Sequence, residues 1–132
     1  WCTYPKLAEC LWLMARWGFT YKTVAFTWIK RNPRSNTLFW GMGNWTRANP
    51  EVCLLGVRGK PRRASAAVHS VIEAPIGPHS RKPDEARSRI VQLIGPEIPV
   101  LELFARGEPG HGFDGWGDTP VYDAGVPGPP VP

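Results

Sequence analysis

Cysteine is scarce in this 132-residue chain: Cys2, Cys10 and Cys53 are the three, odd in number and widely spaced. They cannot close a disulfide framework and match no zinc spacing. They point to a reducing compartment, and a cytoplasmic location is expected. Histidine is as sparse. His69, His79 and His111 stand in no triad or metal-ligand spacing and read as structural or solvent-facing. No apolar run is long enough to span a bilayer, so neither a membrane span nor a secretory leader is expected. Acidic residues fall short of basic ones, 11 against 16, leaving a net charge of +5. That balance suits a nucleic-acid partner without specifying one. Methionine is confined to Met14 and Met42, and Trp1–Cys2–Thr3 reads as the end of a strand. The expectation is a piece of a longer protein with its amino-terminal strands missing. No internal repeat is visible.

What is present argues for a folded domain. Hydrophobic residues make up 42% and there are seven Trp, enough for a moderate core in one domain of this length. Fifteen Pro and fourteen Gly imply many loops. The reading is one domain over 1–122 and a Pro/Gly-rich tail over 123–132. The end of that tail, Val126–Pro132 (VPGPPVP), is polyproline-like and expected to be disordered.

Pro5–Trp17 reads as a helix. Leu7, Cys10, Leu11 and Met14 recur at helical spacing, Trp12 and Leu13 widen the stripe so that both sides should be covered, and Gly18 ends it. Thr23–Ile29 (TVAFTWI) is rich in β-branched and aromatic residues and suits a central strand. Lys30–Asn49 shows little periodicity. Arg31, Arg34 and Arg47 alternate there with Phe39, Trp40 and Trp45 around a Gly41–Met42–Gly43 hinge. Two readings stand: a surface loop whose aromatics pack back on the core, or a loop making phosphate contacts and stacking bases. Glu51–Val57 (EVCLLGV) is a continuous apolar run, as for a strand buried on both faces. Arg58, Lys60, Arg62 and Arg63 follow as the densest positive patch, either a solvated turn or a phosphate contact. A short strand is expected near Val71–Ala74.

The stretch His79–Gly107 organises the rest. It reads as a helix from Pro83 to Ile94, with Ala86, Ile90, Leu93 and Ile94 on one face and a stop at Gly95–Pro96. A buried strand, Val100–Phe104, should follow and run parallel to its neighbours. Pro83, Asp84 and Glu85 suit a helix start, but Arg81 and Lys82 place cations at the positive end of its dipole. Such a conflict marks a candidate site: Lys82 beside orphan N–H groups would grip a carboxylate or phosphate. The plainer reading is a basic turn neutralised by Asp84 and Glu85. Gly107–Gly117 reads as flexible.

HSRKPDE, then a helix, PVLELFAR and GWGD together resemble the carboxyl half of the N6-adenine methyltransferase family marked by a DPPW tetrapeptide. The resemblance runs from Trp1 to about Asp118, and KPDE with ELFAR in this order is its most specific part. It implies an α/β fold, a Rossmann-like methyltransferase sheet with flanking helices. It also implies S-adenosylmethionine as donor and nucleic acid as substrate, DNA before RNA, in a prokaryote or phage. A homo- or hetero-dimer is compatible with it. By resemblance Lys82 is the KPDE lysine that contacts the donor's methionyl carboxylate. Phe104 and Arg106 belong to the ELFAR segment near the donor ribose. Asp118 and Thr119 fall where the family has an amide pair near the donor adenine, and here they differ from it in type. Glu108 and Pro109 replace a His–Asn pair, with His111 nearby but out of register.

An exocyclic adenine amine is a poor nucleophile. In the family the DPPW aspartate and a backbone carbonyl accept its hydrogens and align it with the methyl, catalysis by positioning and electrostatics, on a base that is unpaired or flipped out. The 132 residues contain no DPPW; Asn32–Pro33–Arg34 and Asn49–Pro50–Glu51 lack the second proline and the aromatic. A non-catalytic member of the family that binds nucleic acid or a partner subunit is the alternative. An unrelated nucleotide-binding α/β domain is a third.

Overall fold

The structure is a computed structural model that describes residues 1–78, 81–105 and 110–117. The chain divides into two compact units, Trp1–Pro96 and Glu97–Pro132.

In the first unit a short 3-10 helix, Tyr4–Lys6, leads into helix α1, Leu7–Arg16. The helix ends as Gly18 foretells. Gly18 takes φ +79°, donating its N–H to Ala15 O at 2.9 Å, and Phe19 N–H reaches Met14 O at 3.0 Å. This double closure needs a left-handed residue, which glycine supplies without a Cβ penalty. Strand β1, Thr20–Arg31, is the long central strand. It pairs antiparallel with β2, Glu51–Val57, and parallel with β3, Val71–Pro75, giving the order β2-β1-β3. Cys2 adds a two-bond bridge to Val52 on the other side of β2. α1 comes close to the sheet at Gly56, where a Cβ would lie 2.6 Å from Met14 Sδ.

Helix α2, Asp84–Ile94, covers the opposite side of the core. Ala86 is buried and Ile90 packs against Phe26, Trp28 and Ile72, the last fully buried. Arg89 fixes the helix to the sheet by donating to the backbone carbonyls of His69 and Val71. Pro83 is the residue before the first helical turn, and Gly95 at φ +99° ends the helix. The second unit holds β4, Leu101–Leu103, paired in parallel with β5, Asp114–Trp116.

The fold is thus α/β with a mixed sheet and flanking helices. Several expectations are corrected. β2 is not buried on both faces along its length: after Glu51 and Val52 it is only half-buried. β4 is not a buried strand: Leu101 and Leu103 are 57% and 48% exposed, and its partner is β5. β5 lies in a stretch read as flexible, because Gly115 and two flanking glycines hide a strand in a composition that propensity assigns to a loop. α1 is not covered on both sides: Trp12 is 64% exposed, with the Arg16 guanidinium 5.6 Å from its ring centre. Lys30 and Arg31 belong to β1, so the long loop starts at Asn32. It is pinned by hydrogen bonds from Asn32 N–H to Thr37 O, Phe39 N–H to Lys30 O and Gly41 N–H to Ala48 O. Among the described residues no helix is long and apolar enough to cross a membrane.

Candidate functional site

β1 and β3 run parallel, so their carboxyl ends share one edge, and antiparallel β2 begins there, with Glu51 opposite Trp28. The loop after β3 brings Lys82 to this edge. Lys82 Nζ lies 2.8 Å from Glu51 Oε2, while Lys30 Nζ lies 2.7 Å from Glu51 Oε1. Both ammonium groups also face the Trp28 indole, at 5.3 Å for Lys30 and 5.9 Å for Lys82. The ring is held in place because its Nε1–H donates to Ala74 O at 2.9 Å and the Trp1 ring meets it edge-on. Two cations, one carboxylate and an aromatic floor therefore converge at the carboxyl end of a parallel strand pair.

The electrostatics of Glu51 follow from this. Burial pushes its carboxyl up, but the hydrogen bonds and charges of Lys30 and Lys82 outweigh burial and hold it below the ordinary value of 4.5. With the carboxylate ionised the trio keeps one net positive charge. Asn49, buried beside it, acts as a clamp. Its Oδ1 accepts the Lys30 N–H at 3.0 Å, and its Nδ2 donates to Lys30 O and Phe39 O. This side chain thus replaces a neighbouring strand where β1 outruns β2.

The basic turn before α2 is partly neutralised as expected. Asp84 takes Arg81 and Arg87, and Glu85 takes Arg89. Lys82 is the exception, because its carboxylate comes from β2, 31 residues earlier in the chain. Phe104 lies in the second unit, 70% exposed and edge-on to Trp116. Arg106, Glu108, Pro109, Asp118 and Thr119 lie outside the described residues, as does His79. His69 and His111 are exposed.

The candidate nucleic-acid residues divide by what they already hold. Arg31 pairs with Glu73. Arg58 donates to Trp17 O and sits 4.8 Å over the Phe19 ring, so it staples the end of α1 to the sheet. Arg47 donates to Gly41 O at 3.1 Å and Trp40 O at 3.3 Å. Arg34, Lys60, Arg62 and Arg63 are exposed and take part in no ion pair among the described residues. Sequence reasoning found Lys82 and missed Glu51, Asn49 and Trp28. Glu51 did leave a signal, as a lone carboxylate opening an otherwise apolar strand.

A sheet that gathers charged groups at the carboxyl ends of parallel strands defines an α/β protein of the kind whose ligands sit beyond that edge. The chain belongs to the MT-A70 family, whose model matches residues 1–119. It is 35% identical over 121 residues to the type II methyltransferase M.MunI of a Mycoplasma species, covering 89% of this chain and 47% of that protein. It is 36% identical over 110 residues to an N(6)-adenosine-methyltransferase MT-A70-like protein of Arabidopsis thaliana, covering 82% and 15%. Against the human N(6)-adenosine-methyltransferase catalytic subunit METTL3 it is 34% identical over 100 residues, covering 74% and 16%. The chain thus spans about half the length of the Mycoplasma relative and a much smaller share of the other two.

Proposed function

We propose that the chain is the donor-binding part of an S-adenosylmethionine-dependent N6-adenine methyltransferase that acts on nucleic acid, with DNA the favoured substrate. MT-A70 methyltransferases use this donor, which supplies a methyl group on a sulfonium. The observation that carries the reading is Lys82: the lysine of KPDE stands at the carboxyl edge of the parallel strands, in a cluster with one net positive charge. That charge fits a methionyl carboxylate, and the buried Trp28 ring packs beneath the Lys82 ammonium. Phe104, Arg106, Asp118 and Thr119 are proposed for the ribose and adenine of the donor on the strength of the resemblance. The nucleic-acid strand is assigned to Arg34, Lys60, Arg62 and Arg63, with Arg31, Arg47 and Arg58 as further candidates that already hold partners within the chain.

Calorimetry tests the donor site. Lys82→Ala is expected to weaken S-adenosylmethionine binding by about 1.5–3 kcal/mol, the loss of a charge-assisted hydrogen bond. Unchanged affinity would refute the assignment. Nucleic-acid binding should fall linearly with salt on a log–log plot, and reversing Arg62 and Arg63 to Glu should flatten that slope. The second reading is a non-catalytic family member that binds nucleic acid or a partner subunit. A DPPW in the same reading frame would decide for the enzyme.

A further inference from the structure

The loop after β1 and the Tyr4–Pro5 turn enclose an open cleft of about 600 Å3 within the first unit. Its apolar walls are Tyr4, Pro5, Ile29, Leu38, Trp40 and Trp45. Ile29 follows Trp28 along β1, and successive strand residues face opposite sides, so the cleft opens on the face away from Lys82. Its volume falls in the range of about 300–1,000 Å3 common for small-ligand sites. Three observations define what fits it. Trp45 is 99% exposed and Trp40 52%, so two indoles are presented to solvent. The loop that presents them is fixed by the Asn49 clamp, the Gly41–Ala48 hydrogen bond and the Arg47 contacts to Gly41 O and Trp40 O. No carboxylate lines the cleft, and Arg47, which does, pairs with none among the described residues, so its positive charge is not neutralised.

We infer that this cleft takes one unpaired base of a nucleic-acid strand, stacked on Trp45, with the adjoining phosphate on Arg47. The inference rests on the reading of the protein as one that acts on nucleic acid, and it adds a grip on the nucleic-acid strand on the face of β1 opposite Lys82. An apolar peptide would match the walls but bury the Arg47 charge without a counter-charge. A base with its phosphate answers both the aromatic wall and the charge.

The test is fluorescence anisotropy of the 132-residue chain with fluorescein-labelled decathymidylate, which contains no adenine and so does not engage the methyl-acceptor chemistry. Trp45 is exposed, so Trp45→Ala leaves the fold intact, as circular dichroism should verify. The expected result is about five- to a hundredfold weaker binding by this variant with an unaltered salt slope. A strand of the same length whose residues are abasic should bind the parent chain as weakly as decathymidylate binds the variant. Equal binding of decathymidylate by parent and variant, with salt-dependent affinity retained, overturns the cleft and leaves the nucleic-acid reading standing. No binding by the parent overturns both. If Trp45→Ala turns a sedimenting dimer into a monomer without changing oligonucleotide affinity, the cleft is a self-association surface and the inference fails.

Discussion

Glu51 sits between two ammonium groups, and removing its charge leaves Lys30 and Lys82 facing each other across one indole. Glu51→Gln is therefore expected to destabilise the chain by about 1–3 kcal/mol in urea unfolding, as for other hydrogen bonds to charged groups. The pH dependence has a definite sign. Because the folded carboxyl titrates below 4.5, its contribution is fully present above that pH and is lost as pH falls through the folded value. The difference in melting temperature between parent and Glu51→Gln should be widest near neutrality and narrow as pH falls below 4.5. A gap that stays constant across that range would show that the lysine pairs contribute nothing. The cysteines are set the other way. Burial and the neighbouring Cys10 push the Cys2 thiol up to about 11, and burial raises Cys53. Neither is a ready thiolate, so at pH 8 both should alkylate more slowly in the native chain than in urea, by mass spectrometry.

At the scale of elements, what the sequence made legible follows what each signal measures. β1 carries a β-branched and aromatic run, and α2 carries an apolar face at helical spacing, so local pattern and tertiary burial agree there. β4 misled because Val100–Phe104, apolar except for Glu102, reads as buried, although Leu101 and Leu103 keep half their surface exposed. The orientation of β2 was not legible at all, since a continuous apolar run carries no sign of direction. The clamp by Asn49 was equally invisible: an Asn–Pro pair after an irregular stretch reads as a turn, not as a partner for Lys30. Removing it should unfasten a whole element. Asn49→Ala leaves the Lys30 N–H without its acceptor and is expected to cost about 1–3 kcal/mol. The sharper effect should be local, with limited proteolysis between Asn32 and Ala48 accelerating well before global unfolding. Ile72→Ala offers the contrast: it empties the middle of the core and should cost about 2–5 kcal/mol with no preference for that loop.

On the scale of the whole molecule, the site was legible where a motif carries it and illegible where distant segments assemble it. KPDE pointed to Lys82. The carboxylate that Lys82 faces comes from another strand, and only the fold brings them together. The same assembly bears on catalysis. An adenine amine needs acceptors for its hydrogens, and among the described residues the candidates at this edge are engaged: Asn49 with the backbone of Lys30 and Phe39, Glu51 with two lysines, and Glu73 with Arg31. Nothing among the 132 residues reproduces DPPW. The prediction is that this chain by itself transfers no methyl group, because the positioning it forgoes amounts to about 7–11 kcal/mol of barrier. Tritiated methyl incorporation into adenine-containing DNA measures it, comparing the 132-residue chain with a form that also carries a DPPW segment. The expected result is background counts for the first and turnover for the second, with Lys82→Ala reducing that turnover through weaker donor binding. Counts well above background from the 132 residues alone would mean that the catalytic residues lie among them, and the donor-binding reading would have to yield to a complete active site.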